Sequence, residues 1–257
     1  MTLPAYRASA IADVPVRTYG TSGPTLVWMH GGGFMAGDLD MPEADVVARE
    51  LVARAAVTVV SVGYRLAAFP AGLDDVVAVA SSVSRDTGPV VIGGTSAGGN
   101  LALAGALRLR DAGTATAGLV LAYPYLHRVN PPAPPGLEDR MAPLPESARF
   151  PPAKMTAMAT FYLGPRADDP PPYAYPGSAS PDAIDFAGLP STLVIGAGDD
   201  DLLPSALDAA ARLRAARVPV TEYLEPAVRH GHLNTPGIPG ADRTLDEIAR
   251  FLRALSA

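Results

Sequence analysis

The 257-residue chain contains no cysteine, which excludes disulfides and thiolate metal centres. Histidine is scarce as well, and the four present show no pair at the helical spacing that builds a metal site. Basic residues are outnumbered, 20 Lys and Arg against 26 Asp and Glu. The formal net charge of −6 leaves no cationic stripe for a phosphate backbone and argues against nucleic acid as a partner. No apolar run reaches the roughly eighteen residues a membrane span needs, and no basic segment leading into an apolar run marks a secretory signal. These absences point to a cytoplasmic enzyme, although a chain without cysteine is also compatible with export after removal of a signal from a longer precursor. Abundant alanine and the use of arginine over lysine fit a GC-rich bacterial genome.

With 48% hydrophobic residues, a chain of this size can bury one large core. Strand-like runs alternate with helical patterns. Val14 to Tyr19 and Thr25 to Met29 precede a helix over Glu43 to Ala55; Val57 to Val62 precedes Leu73 to Ser84; Val90 to Ile92 precedes Ala97 to Arg110. The series continues with Leu119 to Tyr123, Thr192 to Ile195, a helix from Pro204 to Arg217, Val218 to Leu224 and a last helix near Asp242 to Leu255. Repeated β–α units predict an α/β fold with a mostly parallel central sheet and helices on both faces. Pro204 suits a first helical turn, where its missing N–H costs nothing.

The alternation breaks between His127 and Asp185, where Asn130 to Pro135, Pro143 to Pro152 and Pro170 to Pro172 are too rich in proline for sheet. So long an insertion in a compact domain is read as functional, a reduced cap over a site at about 127–185 in a single domain spanning 1–257; a flexible surface excursion is the alternative. A helix around Lys154 to Tyr162 places Met155, Met158, Phe161 and Tyr162 at helical spacing, to pack the cap on the core or to line an acyl pocket.

The chemistry concentrates in Val90-Val91-Ile92-Gly93-Gly94-Thr95-Ser96-Ala97-Gly98-Gly99-Asn100. An apolar run ends in a serine between small residues and feeds an apolar helix, so Ser96 stands on a sharp strand-to-helix turn above unpaired backbone N–H groups. A serine in an ordinary turn carries the same letters, so the rest of the chain has to decide. Upstream, Thr25 to Met29 runs into His30-Gly31-Gly32-Gly33-Phe34, a loop able to offer N–H donors to an oxyanion. A serine hydroxyl needs a base and an orienting acid to become a nucleophile. Asp199, Asp200 and Asp201 follow one strand, and His230 and His232 follow the last, where open α/β sheets gather functional groups. A nicotinamide-binding reading of Gly196-Ala197-Gly198 fails, because the third glycine of that fingerprint falls at Asp201.

From about Val14 onward the chain resembles the hormone-sensitive-lipase-like carboxylesterases of the α/β-hydrolase superfamily, in the bacterial branch whose elbow reads G-T-S-A-G-G. The motifs H-G-G-G-F and G-T-S-A-G-G-N occur in the family's order and spacing. Tyr64-Arg65-Leu66 with Phe69-Pro70-Ala71 is similar to a shortened family segment, and Pro172-Tyr173-Ala174 and Tyr223 fall where the family carries similar residues. The resemblance implies a serine carboxylesterase with Ser96 as nucleophile, His230 as base and Asp200 as acid, the last because the family sets its acid two residues before a leucine, here Leu202. Asp199 and Asp201 then become loop carboxylates, and His232 packs or faces solvent. The implied oxyanion donors are two of Gly31, Gly32 and Gly33, together with Ala97, with His30 holding the glycine loop.

The resemblance further implies an ester substrate, no metal and no organic cofactor; homodimers are common among similar esterases. Family members usually carry a longer N-terminal region over the site, whereas Met1 to Asp13 alone precede the first expected strand, so the roof should be thin and short acyl chains favoured. Pro204-Ser205 stands where acidic residues often follow the leucine pair. Two alternatives stay open: an acyl hydrolase for amides, lactones or acetylated sugars on the same triad, and a non-catalytic small-molecule-binding protein of the same fold.

Overall fold

A computed structural model describes residues 4–255; Met1 to Leu3, part of the stretch expected to precede the first strand, and the last two residues lie outside the described residues. Eight strands form one sheet in the order β1-β2-β4-β3-β5-β6-β7-β8. They are β1 (Tyr6–Ile11), β2 (Val14–Tyr19), β3 (Thr25–Met29), β4 (Thr58–Val62), β5 (Val91–Thr95), β6 (Gly118–Ala122), β7 (Thr192–Asp199) and β8 (Val220–Arg229). Pairing is antiparallel for β1 with β2 and β2 with β4, and parallel across the rest.

Both faces of the sheet are covered, and alternate residues divide between them. Val27 and Met29 of β3 pack with α2 (Ala71–Thr87), α3 (Ala97–Asp111) and α6 (Leu203–Ala215). Leu26 and Trp28 pack with α1 (Asp45–Ala55) and α7 (Pro239–Ala254) on the other face. Burial on both sides is why β3, β5 and β6 are apolar or small-residue runs without polar alternation.

Three departures from the sequence reading have physical causes. Strand β1 was not expected: nearly all of Tyr6 to Ile11 is exposed, so its letters carry no buried alternation, and it forms by pairing with β2 across a turn in which Ala12 and Asp13 have φ of 51° and 65°. Strands β7 and β8 run past Ile195 and Leu224 to Asp199 and Arg229, because partners in register satisfy backbone beyond the apolar letters. Helix α1 starts at Asp45 rather than Glu43, whose side chain turns into the core.

Between β6 and β7 the chain forms α4 (Leu137–Met141), α5 (Pro152–Leu163) and two short 3-10 turns. Leu137 and Met141 pack against Leu203 of α6, while the Tyr162 ring stacks on Phe34 at 3.7 Å between centroids. In α5, Met155, Met158 and Tyr162 share one buried face, whereas Phe161 lies off that stripe and is 38% exposed, against the expectation that all four face inward. Among the described residues, no helix is long and apolar enough to cross a membrane.

Candidate active site

Strand β5 is buried throughout and turns into α3 at Ser96, which has φ 52° and ψ −117°, a strained backbone for a residue with a side chain. The turn is tight because Gly98 lets α3 approach β3: a Cβ there would press into the carbonyl oxygens of Met29 and His30. Ser96 itself is held by its N–H to Ala122 O at 3.0 Å and by its carbonyl, which accepts from Asn100 and Tyr125.

The Ser96 hydroxyl lies 2.8 Å from His230 Nε2, and His230 Nδ1 lies 2.7 Å from Asp200 Oδ2. A carboxylate accepts only, so Nδ1 carries the proton and Nε2 is left as acceptor for the hydroxyl. Asp200 is 1% exposed, and its other oxygen accepts the Leu202 N–H at 2.8 Å, which fixes the carboxylate. The rings of Tyr123 and Phe150 meet His230 edge-on at 5.2 and 4.6 Å and confine the imidazole.

Three consecutive aspartates thus do three different things. Asp199 pairs with Arg140 of α4 at 3.4 Å, Asp200 faces His230, and Asp201 binds the segment at Arg149 and Phe150. Asp201 accepts Arg149 Nε at 2.9 Å, Arg149 Nη2 at 3.1 Å and the Phe150 N–H at 2.7 Å. His232 is also drawn away from Ser96: it is buried, its Nε2 sits 2.8 Å from Thr244 Oγ1, and burial pushes its pKa down to about 4.

The three glycines of the loop are not equivalent. The Gly31 N–H donates to Glu43 Oε2 at 2.9 Å, so it is spent within the protein. No protein acceptor among the described residues takes the N–H of Gly32, Gly33 or Ala97. Gly32 and Gly33 have φ of 115° and 62°, the first a conformation that excludes side-chain residues. Below the loop, His30 Nδ1 lies 2.6 Å from Gly31 O, Tyr64 donates to His30 O at 2.9 Å, and the two rings stack at 4.5 Å. Burial pushes the His30 pKa down and keeps the ring neutral, so it acts as a brace.

Glu43 was missed in the sequence, where it reads as the first charge of a helix. It is 1% exposed and its carboxylate accepts from Gly31 N–H, Thr95 Oγ1 at 2.8 Å and Tyr123 OH at 2.8 Å. One side chain therefore ties the glycine loop to the strand before Ser96 and to the ring beside His230.

A second grouping of the same residue types occurs at the start of α6. His127 Nδ1 lies 2.9 Å from Ser205 Oγ and Nε2 lies 3.0 Å from Asp208 Oδ2. Ser205 is fully buried and accepts the Leu126 N–H at 3.0 Å, so no substrate reaches it. Ser96, in contrast, opens on a cavity of about 480 Å³ lined by Gly31 to Gly33, Met158, Phe150 and His230. Among the described residues no group of three or more His, Cys, Asp or Glu is placed to hold a metal ion. A hydroxyl, an imidazole and a buried carboxylate in series beside free N–H donors can pass a proton from oxygen to ring while the oxygen attacks a carbonyl.

The profile of a family described as alpha/beta hydrolase fold matches residues 26–234. The carboxylesterase NlhH of Mycobacterium tuberculosis is 31% identical over 264 residues, covering 96% of this chain and 80% of its own. The solved structure of the Pyrobaculum calidifontis esterase superposes with a TM-score of 0.83 at 29% identity, over 98% of this chain and 85% of the other. A hormone-sensitive lipase from a metagenome library gives a TM-score of 0.84 at 27% identity, over 100% and 86%.

Proposed function

Because the chain belongs to the alpha/beta hydrolase fold family, and is a carboxylic ester hydrolase similar to the hormone-sensitive-lipase-like esterases, we propose that its reaction runs through an acyl-enzyme on Ser96. The observation that carries this reading is the unbroken series Ser96 Oγ, His230 and Asp200, with contacts of 2.8 and 2.7 Å, opening on a cavity beside unpaired N–H groups.

In this reading His230 Nε2 takes the Ser96 proton as the oxygen bonds to the ester carbonyl carbon, and Asp200 holds the imidazolium that forms. The carbonyl oxygen becomes an oxyanion and takes hydrogen bonds from Ala97 and from Gly32 and Gly33, Gly31 being engaged by Glu43. His230 returns the proton to the departing alkoxide, alcohol leaves, and the acyl group stays on Ser96. Water then attacks with His230 as base, and the carboxylic acid is released as Ser96 is re-protonated.

The segment at about 127–185 serves in this account as a reduced cap of a single catalytic domain. Met158 Sδ would meet a Cβ on Gly33 at 2.7 Å, so α5 sits on the glycine loop itself and leaves short acyl chains as the favoured substrates. Ser96→Ala tests the assignment: hydrolysis of p-nitrophenyl butyrate is expected to vanish while circular dichroism and melting stay unchanged. Retained turnover removes Ser96 from the reaction.

A further inference from the structure

A second cavity of about 530 Å³ lies against the one at Ser96. Its walls join the apolar Val129, Leu137, Pro152, Met155 and Pro204 to Arg128, Asn130 and Glu138 and to the Arg149–Asp201 ion pair, so an aliphatic chain would lie along the apolar part of a mixed lining. Among the described residues, Phe150 alone lines both spaces. Its ring also touches the edge of His230, at 4.6 Å between centroids.

Phe150 does not stand in a loose loop. Its N–H and the Arg149 guanidinium are both taken by Asp201, and Arg149 Nη1 donates to Met141 O at 2.9 Å. On the other side the Lys154 ammonium lies 4.1 Å from the ring centre and donates to Arg149 O at 3.0 Å. The ring is thus clamped from the acid loop and from α5, in a residue that borders both spaces.

We propose that Phe150 is the specificity-determining partition of the acyl site: it stops the acyl chain within the Ser96 cavity, and the cavity behind it is a latent extension for medium aliphatic chains. The proposal rests on the acyl-enzyme reading above. Each methylene that enters an apolar space and leaves water is worth about a four-fold gain in kcat/KM, so even two or three methylenes passing the partition change selectivity measurably.

The test is the kcat/KM profile for p-nitrophenyl esters from C2 to C12, with wild type, Phe150→Ala, Phe150→Leu and the double variant Phe150→Ala/Thr156→Trp, whose indole occupies the second cavity. In Phe150→Ala the C8 to C4 ratio is expected to rise at least about ten-fold over wild type, with Phe150→Leu intermediate and the double variant returned toward wild type. Phe150→Leu carries the test if the alanine variant fails to fold. Profiles that run parallel in all variants, with every ester slowed alike, overturn the partition and leave Phe150 as packing for His230. A wild-type enzyme that hydrolyses none of the esters sinks the esterase reading itself, a different failure.

Discussion

Glu43 takes the N–H of Gly31 at 2.9 Å, and so the first glycine of the H-G-G-G run anchors the loop while the two after it remain open to the cavity. The same carboxylate holds Thr95, next to Ser96, and Tyr123, next to His230. The glycine loop, the strand that ends at Ser96 and the ring beside His230 thereby share one buried acceptor.

Removing that acceptor with Glu43→Ala leaves three buried donors unpaired. Stability is expected to fall by about 1–3 kcal/mol in urea titrations, and kcat by about 10²-fold with KM little changed, because the loop loses its alignment to the oxyanion. Glu43→Gln, which keeps an acceptor for Gly31, should recover most of the rate. Equal losses in both variants would contradict the role of Gly31 as anchor.

The aspartates separate in the same way. Asp200→Asn cannot hold the Nδ1 proton in place and should lower kcat by about four orders of magnitude. Asp199→Asn loses only a partly exposed ion pair with Arg140, worth up to about 1 kcal/mol, and should leave turnover within about two-fold. Steady-state kinetics on one short ester compares them.

Ser205→Ala discriminates the two Ser–His–Asp groupings. It strips the Leu126 N–H and His127 of a buried partner, so about 1–3 kcal/mol of stability should be lost. Activity of the folded fraction should be kept, which activity assays after thermal denaturation scans can establish.

His232 carries a pH dependence of stability. Its folded pKa of about 4 lies below the ordinary 6.5, so between those values the unfolded chain binds a proton that the folded chain refuses. The contribution is complete above pH 6.5 and lost as pH falls toward 4, on the order of 3 kcal/mol in all. His30, shifted in the same direction by burial, adds with the same sign. Urea midpoints measured at pH 7 and 4.5 should converge in His232→Gln relative to wild type.

Much of this was legible in the letters, and the reasons are physical. Strand β3, buried on both faces, had to be an apolar run, and the Ser96 turn had to carry small residues where α3 meets β3. Among the three aspartates the letters alone do not choose; the resemblance singles out Asp200 by setting the acid two residues before a leucine, and the Asp200 carboxylate accepts the N–H of that Leu202. What stayed hidden depends on long-range pairing. Strand β1 is nearly all exposed and exists through β2, and Glu43 reads as a helix-starting charge until its three donors arrive from the residues around 31, 95 and 123. Phe150, in a proline-rich stretch with no periodicity, owes its position to Asp201, 51 residues further along the chain.

The most direct test of the account is covalent. Treatment with diethyl p-nitrophenyl phosphate, followed by peptide mass spectrometry, should add one diethylphosphoryl group per chain, on the peptide that carries Ser96, in step with loss of esterase activity. An adduct on the Ser205 peptide, or full inactivation with Ser96 unmodified, would contradict it.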